Sequence, residues 1–267
     1  MKYFDNHVHA FTDSLAERAV SGLAETSGIT PATDGTIGGL RRKMAECGIC
    51  GGLVLPVATK PKQQTTINNW AAKIMGEGIY CCGTVHPDAP DACEEVGRIK
   101  SLGLYGVKFH SEYQFFAPDE RRMFPVYERI AAEGLVAVFH GGWDPYAQGE
   151  IRATPQSFAN LARNFPDLRI VAAHMGGIKL WDSAEECLAG RFENVWFDTG
   201  VVAGYIGDEQ LLRLIRRQGS ERVLFGSDCP WDDPANEIAM LERMPLTETE
   251  RERIFFRNAE ELLGIVV

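Results

Sequence analysis

Apolar runs divide the chain into eight short segments of strand-like pattern, at residues 2–9, 49–56, 79–86, 104–110, 135–141, 169–174, 195–199 and 223–228. Most are apolar almost throughout, which is the pattern of parallel strands covered on both faces. Between them the apolar spacing shifts to the helical period. Residues 119–133 set Met123, Val126, Tyr127 and Ile130 on one helix face, and Thr154 followed by Pro155 supplies an N-cap and a first-turn proline. Strand alternating with helix predicts an α/β fold with a parallel sheet.

The first interval between segment ends is 47 residues, and the later ones run from 24 to 34. A βα unit needs about 30 residues. Eight such units close more naturally into a TIM (β/α)8 barrel than into an open doubly wound sheet, although spacing alone leaves the open sheet standing. The 267 residues match the roughly 250 of one barrel, so residues 1–267 are read as a single domain. The long first interval holds Gly28, Pro31, Gly35, Gly38 and Gly39 between Phe11 and Gly39. It predicts a loop excursion over the barrel mouth that could serve as a lid.

Composition narrows the function classes. With 27 Lys and Arg against 37 Asp and Glu, the net charge of -10 would repel a phosphate backbone, so no nucleic-acid partner is expected. No G-x-G-x-x-G or G-x-x-x-x-G-K-[ST] loop follows the first strand. The opening MKYFDNHVHAF lacks the apolar run of a signal peptide, and no later run reaches a membrane span. The expected location is therefore cytoplasmic, without a membrane partner. Seven cysteines read as reduced thiols. Cys47 and Cys50 form a C-x-x-C with no second pair at zinc-ribbon spacing, and the adjacent Cys81 and Cys82 must face opposite sides of a strand. Core packing is expected there rather than structural zinc or redox chemistry.

The candidate chemistry lies at strand ends. His7 and His9 close the first segment, His110 the fourth, His140 the fifth, His174 the sixth and Asp228 the eighth. In a barrel these ends share one face, where active sites are built. His7 and His9 are two residues apart and leave their strand on the same side, with Asp5 deeper on that side. Imidazole and carboxylate suit a divalent ion such as Zn2+, and an open coordination position leaves a water able to lose its proton near neutral pH. A single histidine reads as a hydrogen-bonded core residue; five of six at strand ends read as a site. His86, in TVHPD, reads as part of a turn. Trp143 after H-G-G and Trp231 after S-D-C-P fall beside the mouth, as loop packing or as substrate walls.

Five motifs carry a resemblance: D-x-H-x-H at Asp5–His9, G-V-K-F-H at Gly106–His110, V-F-H-G-G at Val138–Gly142, A-A-H-M-G-G at Ala172–Gly177 and F-G-S-D-C-P-W at Phe225–Trp231. With the closing R-N-A-E-E-L-L-G at Arg257–Gly264, the chain resembles the amidohydrolase-related (amidohydrolase 2) family of metal-dependent TIM-barrel hydrolases, which includes aminocarboxymuconate semialdehyde decarboxylase. The resemblance implies one divalent metal, Zn2+ being expected, held by His7, His9, His140 and Asp228. It also implies catalytic roles for Asp228, as acceptor of the water's proton, and for His174, which would orient the nucleophile or polarise a substrate oxygen. Lys108 and His110 leave the fourth strand together. Related amidohydrolases carboxylate a lysine on this strand to bridge two metals; His140 and His174 would then hold a second ion. Unmodified Lys108 would instead bind a substrate carboxylate. His110, Glu112, Trp143 and Trp231 complete the expected substrate-binding set, although Glu112 reads first as a solvated loop carboxylate.

Hydrolysis of an ester, lactone or amide of a small molecule is the first expectation. The alternative is non-oxidative decarboxylation of a small unsaturated or aromatic acid, for which Arg41, Arg42 and Lys43 are available unless they form a solvated helix face. A barrel that binds metal or ligand without catalysis is a third reading, disfavoured by the complete ligand set. A homodimer is the common assembly for such a chain.

Overall fold

A computed structural model describes residues 1–145 and 149–267. The apolar runs form strands β1 (Tyr3–Val8), β2 (Ile49–Val54), β3 (Ile79–Cys81, resumed at Gly83–Thr84), β4 (Gly106–Phe109), β5 (Val136–Phe139), β6 (Arg169–Ala172), β7 (Val195–Asp198) and β8 (Val223–Leu224). All ladder neighbours are parallel. The break at Cys82 does not open the ring: Cys82 N donates to Val54 O and Tyr105 N to Cys81 O, both at 3.0 Å. The ring closes where Val8 bridges Cys229 and where the amides of Asn6 and His9 reach Phe225 O and Cys229 O. Closure excludes the open sheet; the fold is a single-domain TIM barrel.

Between the strands run α1 (Asp13–Ser27), α2 (Ile37–Glu46), α3 (Gln64–Ile74), α4 (Ala92–Ser101), the single turn α5 (Ser111–Gln114), α6 (Phe124–Ala132), α7 (Pro155–Asn164), α8 (Trp181–Cys187) and α9 (Asp208–Gln218), and α10 (Pro234–Arg243) follows the last strand. The face expected from residues 119–133 is present in a shorter element, a 3-10 turn at Arg121–Met123 leading into α6, with Met123, Val126, Tyr127 and Ile130 buried. Thr154 caps α7 by accepting from Ser157 N at 3.1 Å, and Pro155 occupies the first turn.

Strand alternation sorts the side chains. Phe109 and Phe139 stack at 5.0 Å between sheet and helices, with Tyr127 and Phe158 against them. The alternate set, Asp5, His7 and Lys108, is almost wholly enclosed and makes polar contacts across the ring. The long first interval is largely helix, with a loop at residues 28–36 between α1 and α2. α1 follows the period of S-L-A-E-R-A-V-S-G-L-A, which the glycines after it obscure, and ends at Gly28, whose φ of 73° falls in the region glycine adopts freely.

All seven cysteines are free. Cys81, Cys82 and Cys229 are buried, whereas Cys50 is exposed, contrary to core packing. Among the described residues no helix is long and apolar enough to cross a membrane.

Candidate active site

The strand ladders stop before the apolar runs do, which frees the residues beyond them to turn their side chains over the mouth. His174 and Asp228 adopt left-handed backbone angles, φ 59° and 65°. For a non-glycine residue this costs on the order of 1–3 kcal/mol, a strain typical of positions where side-chain direction matters. Asp228 N donates to His7 O at 2.7 Å, tying the two residues together through the backbone. Gly226 permits that approach, because a Cβ there would stand 2.8 Å from His7 Cβ.

His9 Nδ1 donates to Leu55 O at 2.9 Å, and His7 Nδ1 donates to Asp198 Oδ2 at 2.9 Å. A carbonyl and a carboxylate only accept, so Nδ1 carries an N–H in both rings and Nε2 is the atom turned to the other side. Those two nitrogens meet Asp228 Oδ1, at 2.9 Å from His9 and 3.3 Å from His7, and this oxygen has no hydrogen-bond partner. Three acceptor atoms thus converge within 4.8 Å of one another. Such a donor set fits a divalent cation, with Asp198 and Leu55 O orienting the imidazoles from behind. Lys108 Nζ approaches the same point and donates to His7 Nε2 at 3.1 Å.

His140 stands outside that triad. Its ring stacks on His110 at 4.2 Å, and its Nδ1 is 3.0 Å from His174 Nε2. His174 Nδ1 donates to Gly200 O at 2.7 Å, which makes His174 Nε2 the acceptor and His140 Nδ1 the donor. The chain of bonds leaves His140 Nε2 bare, buried and unpartnered beside the cavity. His174 itself is fully enclosed and is not among the residues that line the cavity; it contacts His140, which is. In this arrangement both nitrogens of His174 are engaged, with Gly200 O and His140 Nδ1.

Two further His and Asp groupings lie nearby. In His7, His174 and Asp198 the carboxylate is committed to hydrogen bonds: Asp198 Oδ1 accepts from the amides of His174 and Gly200. In His110, His140 and Asp144 the two rings lie within 10° of parallel, so their lone pairs do not converge on one ion.

A cavity of about 540 Å³ opens above the triad, lined by His7, His9, Lys108, His110, His140 and Asp228. Trp143 and Trp231 also line it, as the substrate-wall reading requires. Glu112 does not. It is buried rather than solvated, and its carboxylate accepts from the amides of Arg152 and Ala153 and from the Arg152 guanidinium, anchoring the loop that leads to α7. Arg41, Arg42 and Lys43 are turned away as well, paired with Glu77, Asp34 and Asp233. His86 accepts from Asp88 N at 3.1 Å, the turn expected of it.

Sequence reasoning passed over Asp198, although it closes an apolar strand as Asp228 follows one, and it passed over Asp144 and the cavity-lining Arg18 of α1. Asp144 accepts from Tyr113 Oη and lies 3.3 Å from His110 Nε2.

Burial pushes the His7 pKa down to about 4, helped by Lys108. Burial likewise lowers Lys108 and drives His110 and His140 well below the ordinary imidazole value. For Asp198 and Asp228 burial acts to raise the pKa, but adjacent imidazoles, His7 foremost, outweigh it and hold both carboxyls well below the usual range. The site therefore pairs neutral imidazoles with ionised carboxylates, the protonation state in which both are metal ligands.

A family model described as Amidohydrolase matches residues 55–265, well over half of the chain. The chain belongs to the amidohydrolase family. No curated protein shows significant sequence similarity to this amidohydrolase. Solved structures resemble it over nearly their whole length. An uncharacterized TIM-barrel protein from Bordetella bronchiseptica aligns with TM-score 0.81 at 19% identity, covering 99% of each chain. A putative 2-pyrone-4,6-dicarboxylic acid hydrolase from Pseudomonas putida aligns with TM-score 0.68 at 18% identity, covering 98% of this chain and 97% of that one. A 5-carboxyvanillate decarboxylase from Novosphingobium aromaticivorans, solved with bound manganese, aligns with TM-score 0.72 at 16% identity, also over 98% and 97%. At such identities the likeness establishes the shared barrel.

Proposed function

We propose that this amidohydrolase is a metal-dependent hydrolase that cleaves an ester, lactone or amide bond of a small molecule. The observation that carries the reading is the convergence of His7 Nε2, His9 Nε2 and Asp228 Oδ1 without a hydrogen bond to Asp228 Oδ1, at the floor of a cavity large enough for substrate. Zn2+ suits two imidazoles and a carboxylate, and when bound it would supply Lewis acidity and make a water easier to deprotonate. His140 turns its bare Nε2 toward the same cavity and is the fourth ligand in this reading.

The chain's own residues divide the remaining work. Asp228 takes the proton of the attacking water on its carboxylate and returns it to the leaving group. His174 and Asp198 keep His140 and His7 in the tautomers that expose Nε2. Lys108, buried at the floor, offers its ammonium to the substrate oxygen where negative charge develops.

Decarboxylation of a small unsaturated or aromatic acid is the second reading, and Lys108 is the observation that favours it, since a buried ammonium beside the triad suits a carboxylate. The outward pairing of Arg41, Arg42 and Lys43 weakens it. The test is a panel of esters, lactones, amides and unsaturated or aromatic acids offered to the metal-loaded enzyme, with acid release and CO2 release followed separately. Metal-dependent acid release without CO2, lost in Asp228→Asn, supports hydrolysis; CO2 release from an acid, with no hydrolysis of any other compound, overturns it.

A further inference from the structure

The polar groups of the cavity do not fill it. His7, His9, Lys108, His110, His140 and Asp228 belong to the strand ends at its floor, while much of the wall comes from two helices. α1 contributes Leu15, Ala19 and Leu23, spaced four residues apart and therefore one stripe along the helix, with the charged Arg18 beside it. α3 contributes Ile67 and Trp70, again on one face, next to the hydroxyl of Thr66, and Ile29 follows the end of α1. None of the six apolar residues is fully buried, although Trp70 packs against the core on one side. Ala16 and Val20 are the buried residues of α1, and Leu15 is 43% exposed although it faces a cavity.

A large apolar side chain left bare inside a concave site marks a surface that an apolar ligand covers. The volume of about 540 Å³ lies in the range that encloses ligands of drug size. A substrate of only a few heavy atoms would occupy the floor and leave the α1 and α3 walls in water.

We infer that the α1 and α3 walls form an apolar subsite, and that the substrate of this enzyme is an acyl compound whose long apolar chain lies along Leu15, Ala19, Leu23, Ile29, Ile67 and Trp70 while its carboxyl-derived head sits on the floor. The inference rests on the hydrolase reading for its head group alone; the tail is assigned by the walls. Continuity decides between occupants, because subsite and floor are parts of one cavity, so the molecule that reaches the triad is the one that meets the stripe.

The experiment measures binding of straight-chain alkanoates, acetate to decanoate, to the metal-loaded protein by calorimetry, with metal content determined on the same samples. Each methylene placed on an apolar wall should tighten binding about three- to fourfold, from roughly butanoate until the cavity is filled. Leu23→Glu should flatten this dependence, while Leu23→Ile keeps it, with circular dichroism reporting the fold of both. Full metal content with affinity independent of chain length overturns the subsite and leaves the hydrolase reading intact; that outcome also fits α1 closing onto the barrel. Chain-length dependence in protein that takes up no metal supports the subsite and overturns the metal-dependent reading.

Discussion

Asp228 Oδ1 and His9 Nε2 stand 2.9 Å apart, and Asp228 Oδ1 has no hydrogen-bond partner. His9 Nδ1 gives its N–H to Leu55 O, so the Nε2 contact opposes two electron pairs unless a proton or a cation lies between them. In metal-free protein a proton can fill that place, and metal uptake must then expel it. Calorimetric titration with Zn2+ at pH 7, in two buffers of different ionisation enthalpy, should show about one proton released per ion bound. Identical heats in both buffers would contradict this.

The hydrogen bonds behind the triad predict graded losses. Asp198→Asn weakens the orientation of His7, and His174→Ala removes the partner of His140 Nδ1. Each should cost roughly 10- to 100-fold in metal affinity, measured by competition with a chelator. If His174→Ala abolished turnover while metal affinity stayed unchanged, His174 would be acting on the substrate directly.

Much of the barrel was legible because doubly covered parallel strands must be apolar, and the same rule exposes the polar residues that follow them. His7, His9, His110, His140 and Asp228 line the cavity on that logic. What failed depended on side-chain direction. Glu112 sits next to a site residue in sequence, yet the short turn α5 points its carboxylate at Arg152. Arg41, Arg42 and Lys43 lie on α2, whose buried face carries Leu40 and Met44 instead. The α1 wall was missed because Gly22 within the helix and the run of Gly28, Gly35, Gly38 and Gly39 after it made a helix read as a loop. Asp198 carried the same strand-end signal as Asp228 but stands behind the ligands, a distinction that only the hydrogen-bond network reveals.

Lys108 brings a cationic group to 3.1 Å from His7 Nε2, and a positive charge beside a ligand atom opposes a second cation. Lys108→Met should tighten binding of the first ion by roughly tenfold and leave the stoichiometry unchanged. A carboxylated lysine would give the opposite result, a fall from two ions to one.

Burial lifts the Asp5 pKa to about 7, against hydrogen bonds from the hydroxyl and amide of Ser227 and from His7 N that favour the charged form. A carboxyl whose folded pKa is raised binds its proton more tightly folded than unfolded. Its contribution to stability is fully present below about pH 4 and is lost as pH rises through 7. The stability of the metal-free wild type relative to Asp5→Asn, from urea unfolding, should fall by up to roughly 4 kcal/mol between these limits. A pH-independent difference would place Asp5 in its ionised form throughout.

The central claim is that His7, His9 and Asp228 hold a metal ion. Elemental analysis of protein purified without chelator and without a histidine tag, beside His7→Ala and His9→Ala, tests it most directly. The structure predicts about one divalent ion per chain, lost in both variants while the fold persists. No bound metal in the wild type, even after refilling with divalent ions, would contradict the account.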